Sequence, residues 1–125
     1  MHLKHIDTIL LVEDITISRR FYAEALGMEI LHDWGTMVIF TNRLAVHQAS
    51  ELQPREEAQK FVTPGFYGRG NVVIYLQSDD LDASYRQLKE AGAEIIHPIL
   101  TLPWERIFRI YDPDHYVIEI GEPHE

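Results

Sequence analysis

One stretch of this chain occurs twice. Asp14-Ile15-Thr16-Ile17-Ser18 recurs as Asp80-Leu81-Asp82-Ala83-Ser84, 66 residues on. Leu26-Gly27-Met28-Glu29-Ile30-Leu31-His32 recurs as Ala91-Gly92-Ala93-Glu94-Ile95-Ile96-His97, 65 residues on. Such self-similarity marks two copies of one supersecondary unit, neither of which can bury its apolar face alone. The copies are expected to cover those faces against each other or against a second chain, with a ligand in the groove between them. The drop from 66 to 65 reads as one residue lost inside the second copy.

The local pattern fills in each unit. Residues 6–12 form a short β-branched apolar run, read as a buried strand closing at Asp14, a helix N-cap. Residues 15–26 carry Ile17, Phe21 and Ala25 at helical spacing, one expected buried face. Gly27 then supplies the left-handed residue that ends helices. Residues 28–32, 36–41 and 44–49 read as strands separated by Asp33-Trp34-Gly35 and Asn42-Arg43. In the second half, residues 71–77 read as a strand, Asp80 caps a helix over 81–91, and Gly92 ends it. Strands at 94–97, 106–111 and 116–120 follow, the last two a hairpin around Asp112-Pro113-Asp114-His115. The expected organisation is a first module at 1–50, a linker with a little helix at 51–69, and a second module at 70–125. The linker carries Pro54, Pro64-Gly65 and Gly68-Arg69-Gly70, and reads as a connector rather than a lid.

Composition narrows the partners. Eleven Lys and Arg stand against 20 Asp and Glu, a net charge of −9. Nucleic acid and acidic membrane surfaces both call for a basic stripe, so neither is an expected partner. There is no cysteine, which rules out thiolate zinc sites and fits the cytoplasm. No apolar run approaches the length of a membrane span, and the start of the chain has no signal-peptide pattern.

The chain resembles the vicinal oxygen chelate superfamily, which groups glyoxalase I, bleomycin-resistance proteins and extradiol dioxygenases. The resemblance is carried by Val12-Glu13-Asp14-Ile15 through Ser18, by Phe21-Tyr22 and by Leu26-Gly27-Met28. In the second half Asp79-Asp80-Leu81-Asp82-Ala83, Gly92 and Arg109-Ile110-Tyr111-Asp112-Pro113-Asp114 with Ile118-Glu119 carry it. It implies an α+β fold of two tandem βαβββ modules forming a curved, cup-shaped mixed sheet, often as a homodimer. It also implies a small-molecule site in the cup.

Metal-using members draw one ligand from the first and one from the last strand of each module. Carried over, these positions are Asp7 and His47 in the first half, Val73 and Glu119 in the second. Valine cannot bind a metal. The remaining imidazole and two carboxylates suit a divalent ion such as Zn, Ni, Mn or Fe. His5 lies two residues from Asp7 on the same strand face and could stand in for it. Glu119 would then be the catalytic carboxylate of a metal-dependent lyase or isomerase of the glyoxalase type. The alternative is a metal-free small-molecule or antibiotic-binding protein, with aromatic and acidic groove residues holding a flat or cationic ligand. Trp34, Tyr75, Trp104, Phe108 and Tyr111 are candidates for that groove. His5, Asn71, Tyr75 and Trp104 are the expected substrate-binding residues. The resembled turn ends in glycine where this chain has His115, so His115 is expected at positive φ if the turn is kept.

Overall fold

The computed structural model describes residues 1–65 and 67–123. The fold is α+β and consists of two compact units, Met1–Tyr67 and Gly68–Glu125. The first unit holds β1 (Thr8–Val12), α1 (Ile15–Arg20), β2 (Ile30–Asp33), β3 (Met37–Phe40) and β4 (Leu44–Gln48). Its sheet runs in the order β1-β4-β3-β2, with β1 and β4 parallel and the other pairs antiparallel. A 3₁₀ turn (Ala49–Glu51) and a short α2 (Arg55–Ala58) complete it. The second unit holds β5 (Val73–Gln77), α3 (Leu81–Glu90), β6 (Glu94–Thr101), β7 (Arg106–Tyr111) and β8 (Val117–Gly121). Its order, β5-β8-β7-β6, repeats that of the first sheet. No helix among the described residues is long and apolar enough to cross a membrane.

Helices α1 and α3 start as expected. The Asp14 carboxylate accepts from Thr16 N (2.9 Å) and Ile17 N (3.4 Å), and that of Asp80 from Ala83 N (3.1 Å). Gly27 and Gly92 follow the helices at φ 70° and 85°. The buried face of the first helix is not the expected one. Ile17 is 51% exposed, whereas Ser18 and Tyr22 are wholly buried. The Tyr22 ring packs against Phe40 (5.9 Å) and edge-on against Phe21 (5.1 Å), and burying that large ring outweighs the smaller Ile17 stripe.

The change of repeat offset has a physical form. Residues Phe21–Ala25 make a π-turn at the end of α1, closed by Leu26 N donating to Phe21 O at 3.0 Å. Thirteen positions separate Asp14 from Gly27 and twelve separate Asp80 from Gly92. The extra residue of the first copy is taken up by widening one helical turn.

Each sheet packs one face against its own helix. In the second unit Phe108, Ile110 and Ile118 are fully buried on that face, with Tyr85 of α3 edge-on to Phe108 at 5.1 Å. Burial of each such side chain contributes about 2 kcal/mol. Alternation sends Arg109 and Glu119 to the other face. The β7–β8 turn is organised by the buried Asp112 carboxylate, which accepts from Asp114 N and Tyr116 N, both at 2.8 Å. His115 does take positive φ, 66°, while its ring stacks on Tyr111 at 4.6 Å. Arg106 ties α3 to the open end of the β7–β8 hairpin, bonding Asp82 at 2.9 Å and Glu122 at 3.0 Å. Hydrogen bonds from its guanidinium hold both carboxyls below the usual carboxylate range.

Candidate functional site: a polar rung across the second sheet

The ladder of the second sheet brings four polar side chains into one line. Tyr75 of β5 is opposite Glu119 of β8, Glu119 is opposite Arg109 of β7, and Arg109 is opposite His97 of β6. All four share the face turned away from α3, because directly opposed residues project on the same side. Arg109 Nε and Nη2 each lie 2.8 Å from Glu119 Oε1. On the other side Arg109 Nη1 is 3.2 Å from His97 Nε2. A guanidinium only donates, so this His97 nitrogen must be bare. Its proton then sits on Nδ1, 2.8 Å from the carbonyl of Pro98.

A second cluster branches from the rung at Tyr75. Tyr75 donates its hydroxyl to Glu105 Oε2 at 2.7 Å and accepts from Gln77 Nε2 at 3.0 Å. Its phenol is raised above the ordinary tyrosine value, first by desolvation and then by the Glu105 carboxylate. Gly121 makes the arrangement possible. A Cβ there would run into the Glu105 carboxylate and stand 3.0 Å from the Tyr75 hydroxyl. Tyr75 is 41% exposed, with Val73 (55%) and Trp104 (63%) also open to solvent.

The same rung in the first sheet reads Ile9, Ala45, Ile39 and His32. Only the histidine is retained. The register therefore sets Glu119 against Ala45, and Gly121 against His47, which pairs with Leu11 and Met37. The expected correspondence of His47 with Glu119 is displaced by two residues.

The remaining expected site residues fall as follows. Asp7 Oδ1 lies 2.8 Å from Arg43 Nε without an aligned hydrogen bond, and the Arg43 N–H also reaches Ile6 O at 3.3 Å. Four residues along β4 separate Arg43 from His47, roughly 13 Å of strand, so Asp7 and His47 do not meet. His47 Nδ1 is 2.9 Å from Gln48 O, which leaves Nε2 bare in the manner of a ligand histidine. His5 bonds Thr8 Oγ1 at 3.0 Å ahead of β1, and Asn71 Oδ1 accepts from Arg69 N at 3.3 Å in a turn. Phe108 is core, Tyr111 stacks on His115, and Trp34 stacks on His32 at 4.9 Å. Among the described residues no three His, Asp or Glu side chains group as a cation site.

These donors do not fit a resident divalent ion. A cation at Glu119 or Asp7 would sit beside a guanidinium, and like charges at such range repel strongly. Arg109, His97, Glu105 and Gln77 are the site residues that the sequence reading missed. The first was accessible: a hairpin folded about Asp114 sets 109 against 119.

The family model described as a Glyoxalase-like domain matches residues 5–125. The chain belongs to that family. With it the protein joins the vicinal oxygen chelate superfamily. This glyoxalase-like chain is similar to a protein of unknown function from Agrobacterium tumefaciens str. C58, at 35% identity and TM-score 0.86, over 98% of this chain and 96% of that one. It also shares its fold with a lactoylglutathione lyase from Agrobacterium tumefaciens (22% identity, TM-score 0.69, covering 95% and 92%). A third likeness is to TioX from Micromonospora sp. ML1 (16% identity, TM-score 0.71, covering 95% and 98%). No curated protein matches the chain.

Proposed function

We propose that this glyoxalase-like protein binds a small molecule without a resident metal, on the open face of its second sheet. One observation carries the reading: Glu119 is already engaged by Arg109, at 2.8 Å, and the same rung of the first sheet has Ala45 instead of a donor. The exposed Tyr75 ring, two residues along β5 from the exposed Val73, and the exposed Trp104 ring next in sequence to Glu105 suit a flat apolar body, and the carboxylate of Glu105 suits a ligand that donates hydrogen bonds. Pairing as a homodimer and a cytoplasmic setting belong to the same proposal; light scattering on the purified protein reads the first.

The test is a fluorescence titration with 9-aminoacridine, a planar aromatic cation, on protein stripped with a chelator. Binding is expected with the chelator present and should weaken about tenfold in Tyr75→Ala. Added Ni²⁺, Zn²⁺, Mn²⁺ or Fe²⁺ should change neither the affinity nor the melting temperature. A turnover or a ligand affinity that appears only when one of these ions is restored would overturn the reading in favour of a metal-dependent lyase or isomerase.

A further inference from the structure

The first unit contains a cavity that has no part in the rung just described. It encloses about 440 Å³, within the range of pockets that hold small organic molecules. Its walls come from the end of β4 and from the α2 segment that the sequence marks only as a connector. Ala49 and Ala58, both buried, and the half-buried Leu52 and Val62 supply apolar lining.

One wall is rigid. The Gln48 amide accepts from Ile15 N (2.8 Å) and donates to Glu13 O (2.8 Å) and Ser50 Oγ (3.3 Å), which pins β4, the start of α1 and the 3₁₀ turn together. The charged group is different. Arg55 lines the cavity, yet its guanidinium has no ion-pair or hydrogen-bond partner among the described residues. The nearby acid Glu57 is already paired with Lys60 at 2.7 Å. Glu13, which also lines the cavity, has a bonding partner of its own and disfavours a second negative charge on any occupant. A guanidinium with no partner among the described residues, beside the apolar part of a mixed cavity lining, is matched by one planar carboxylate on a hydrocarbon body.

We infer that this cavity is a binding site for a small amphiphilic monocarboxylate, held through Arg55 with its apolar part against Leu52, Ala58 and Val62. The site lies wholly in the first unit and does not rest on the function proposed for the second.

Phenylacetate and its uncharged isostere phenylacetamide test the assignment, titrated into ¹⁵N-labelled full-length protein. Phenylacetate should shift the amide signals of residues 49–62 saturably, and phenylacetamide should bind at least about tenfold more weakly. Arg55→Gln, a change at an exposed position, should remove that preference. Val62→Trp, which fills the cavity, should abolish binding of both compounds while the rest of the spectrum is kept. Equal affinities for acid and amide in the wild type would overturn the inference. So would an unchanged preference in Arg55→Gln, or shifts confined to residues 73–77 and 117–121.

Discussion

Glu119 of β8 and Ala45 of β4 occupy the same rung of two copies of one sheet. The neighbouring positions diverge together: Arg109 stands against Ile39 and Tyr75 against Ile9, while His97 and His32 remain alike. One copy thus carries polar side chains from edge to edge, bonded from His97 through Arg109 to Glu119, and the other carries aliphatic side chains at the three corresponding positions beside His32. A carboxylate in place of Ala45 would find no guanidinium on its own rung, where Ile9 and Ile39 flank it. The polar members of the second rung depend on one another for the same reason.

That dependence is measurable. Arg109 and Glu119 are partly buried, with side-chain exposures of 35% and 19%. Arg109→Met should cost about 1–2 kcal/mol of stability, because it leaves a partly desolvated carboxylate without its charged donor. Adding Glu119→Gln should recover part of the loss. Denaturant unfolding of the two single variants and the double variant gives the coupling. Strictly additive losses would mean that the pair is not formed.

Gly121 governs the other cluster. The obstacle to a Cβ is the far end of the flexible Glu105 side chain, so Gly121→Ala should expel that carboxylate from Tyr75 rather than unfold the strand. Gly121→Ala and Glu105→Ala should each cost about 1 kcal/mol, the net worth of one typical intramolecular hydrogen bond, since this one is solvent-exposed. The double variant should cost no more than either single one, since both remove the same bond. A double variant with the summed loss would show that Glu105 is not seated over the glycine.

Arg106 predicts an acid dependence. Asp82 and Glu122 have folded-state pKa values depressed by its hydrogen bonds. A depressed carboxyl contributes stability that is present above its ordinary pKa and is lost as pH falls through the folded value. The stability gap between wild type and Arg106→Met should therefore be full at about pH 7 and shrink steadily below about pH 4. Unfolding midpoints measured down to about pH 2 follow it, and a gap that stays constant over that range would exclude the pairing.

The scaffold was largely legible because its signals are local. Asp14, Asp80, Gly27 and Gly92 mark the helix ends by backbone chemistry that needs no tertiary partner, and His115 was marked by the glycine it replaces. The buried face of α1 was not, since it depends on which ring meets Phe40 across the unit. The site was read only in part. Counting from the capping aspartates locates the first strands, but hairpin lengths differ between the copies, so a single offset does not carry from β1 to β4. The ladder alone reveals that Ala45, not His47, is the counterpart of Glu119. Glu105 reaches Tyr75 from a loop thirty residues away, a contact with no sequence periodicity behind it.

The π-turn at Phe21–Ala25 bears on how the two copies could drift apart in length. A residue added inside an ordinary α-helix rotates everything after it by about 100°. Strands β2 to β4 would then leave the helix in the wrong direction to close their sheet. Widening one turn absorbs the addition where it occurs, and Gly27 still begins the exit at the place that Gly92 marks in the other copy. The first copy can thus tolerate a change of length without a change of architecture. Removing one residue from 21–25 would restore the count of its twin.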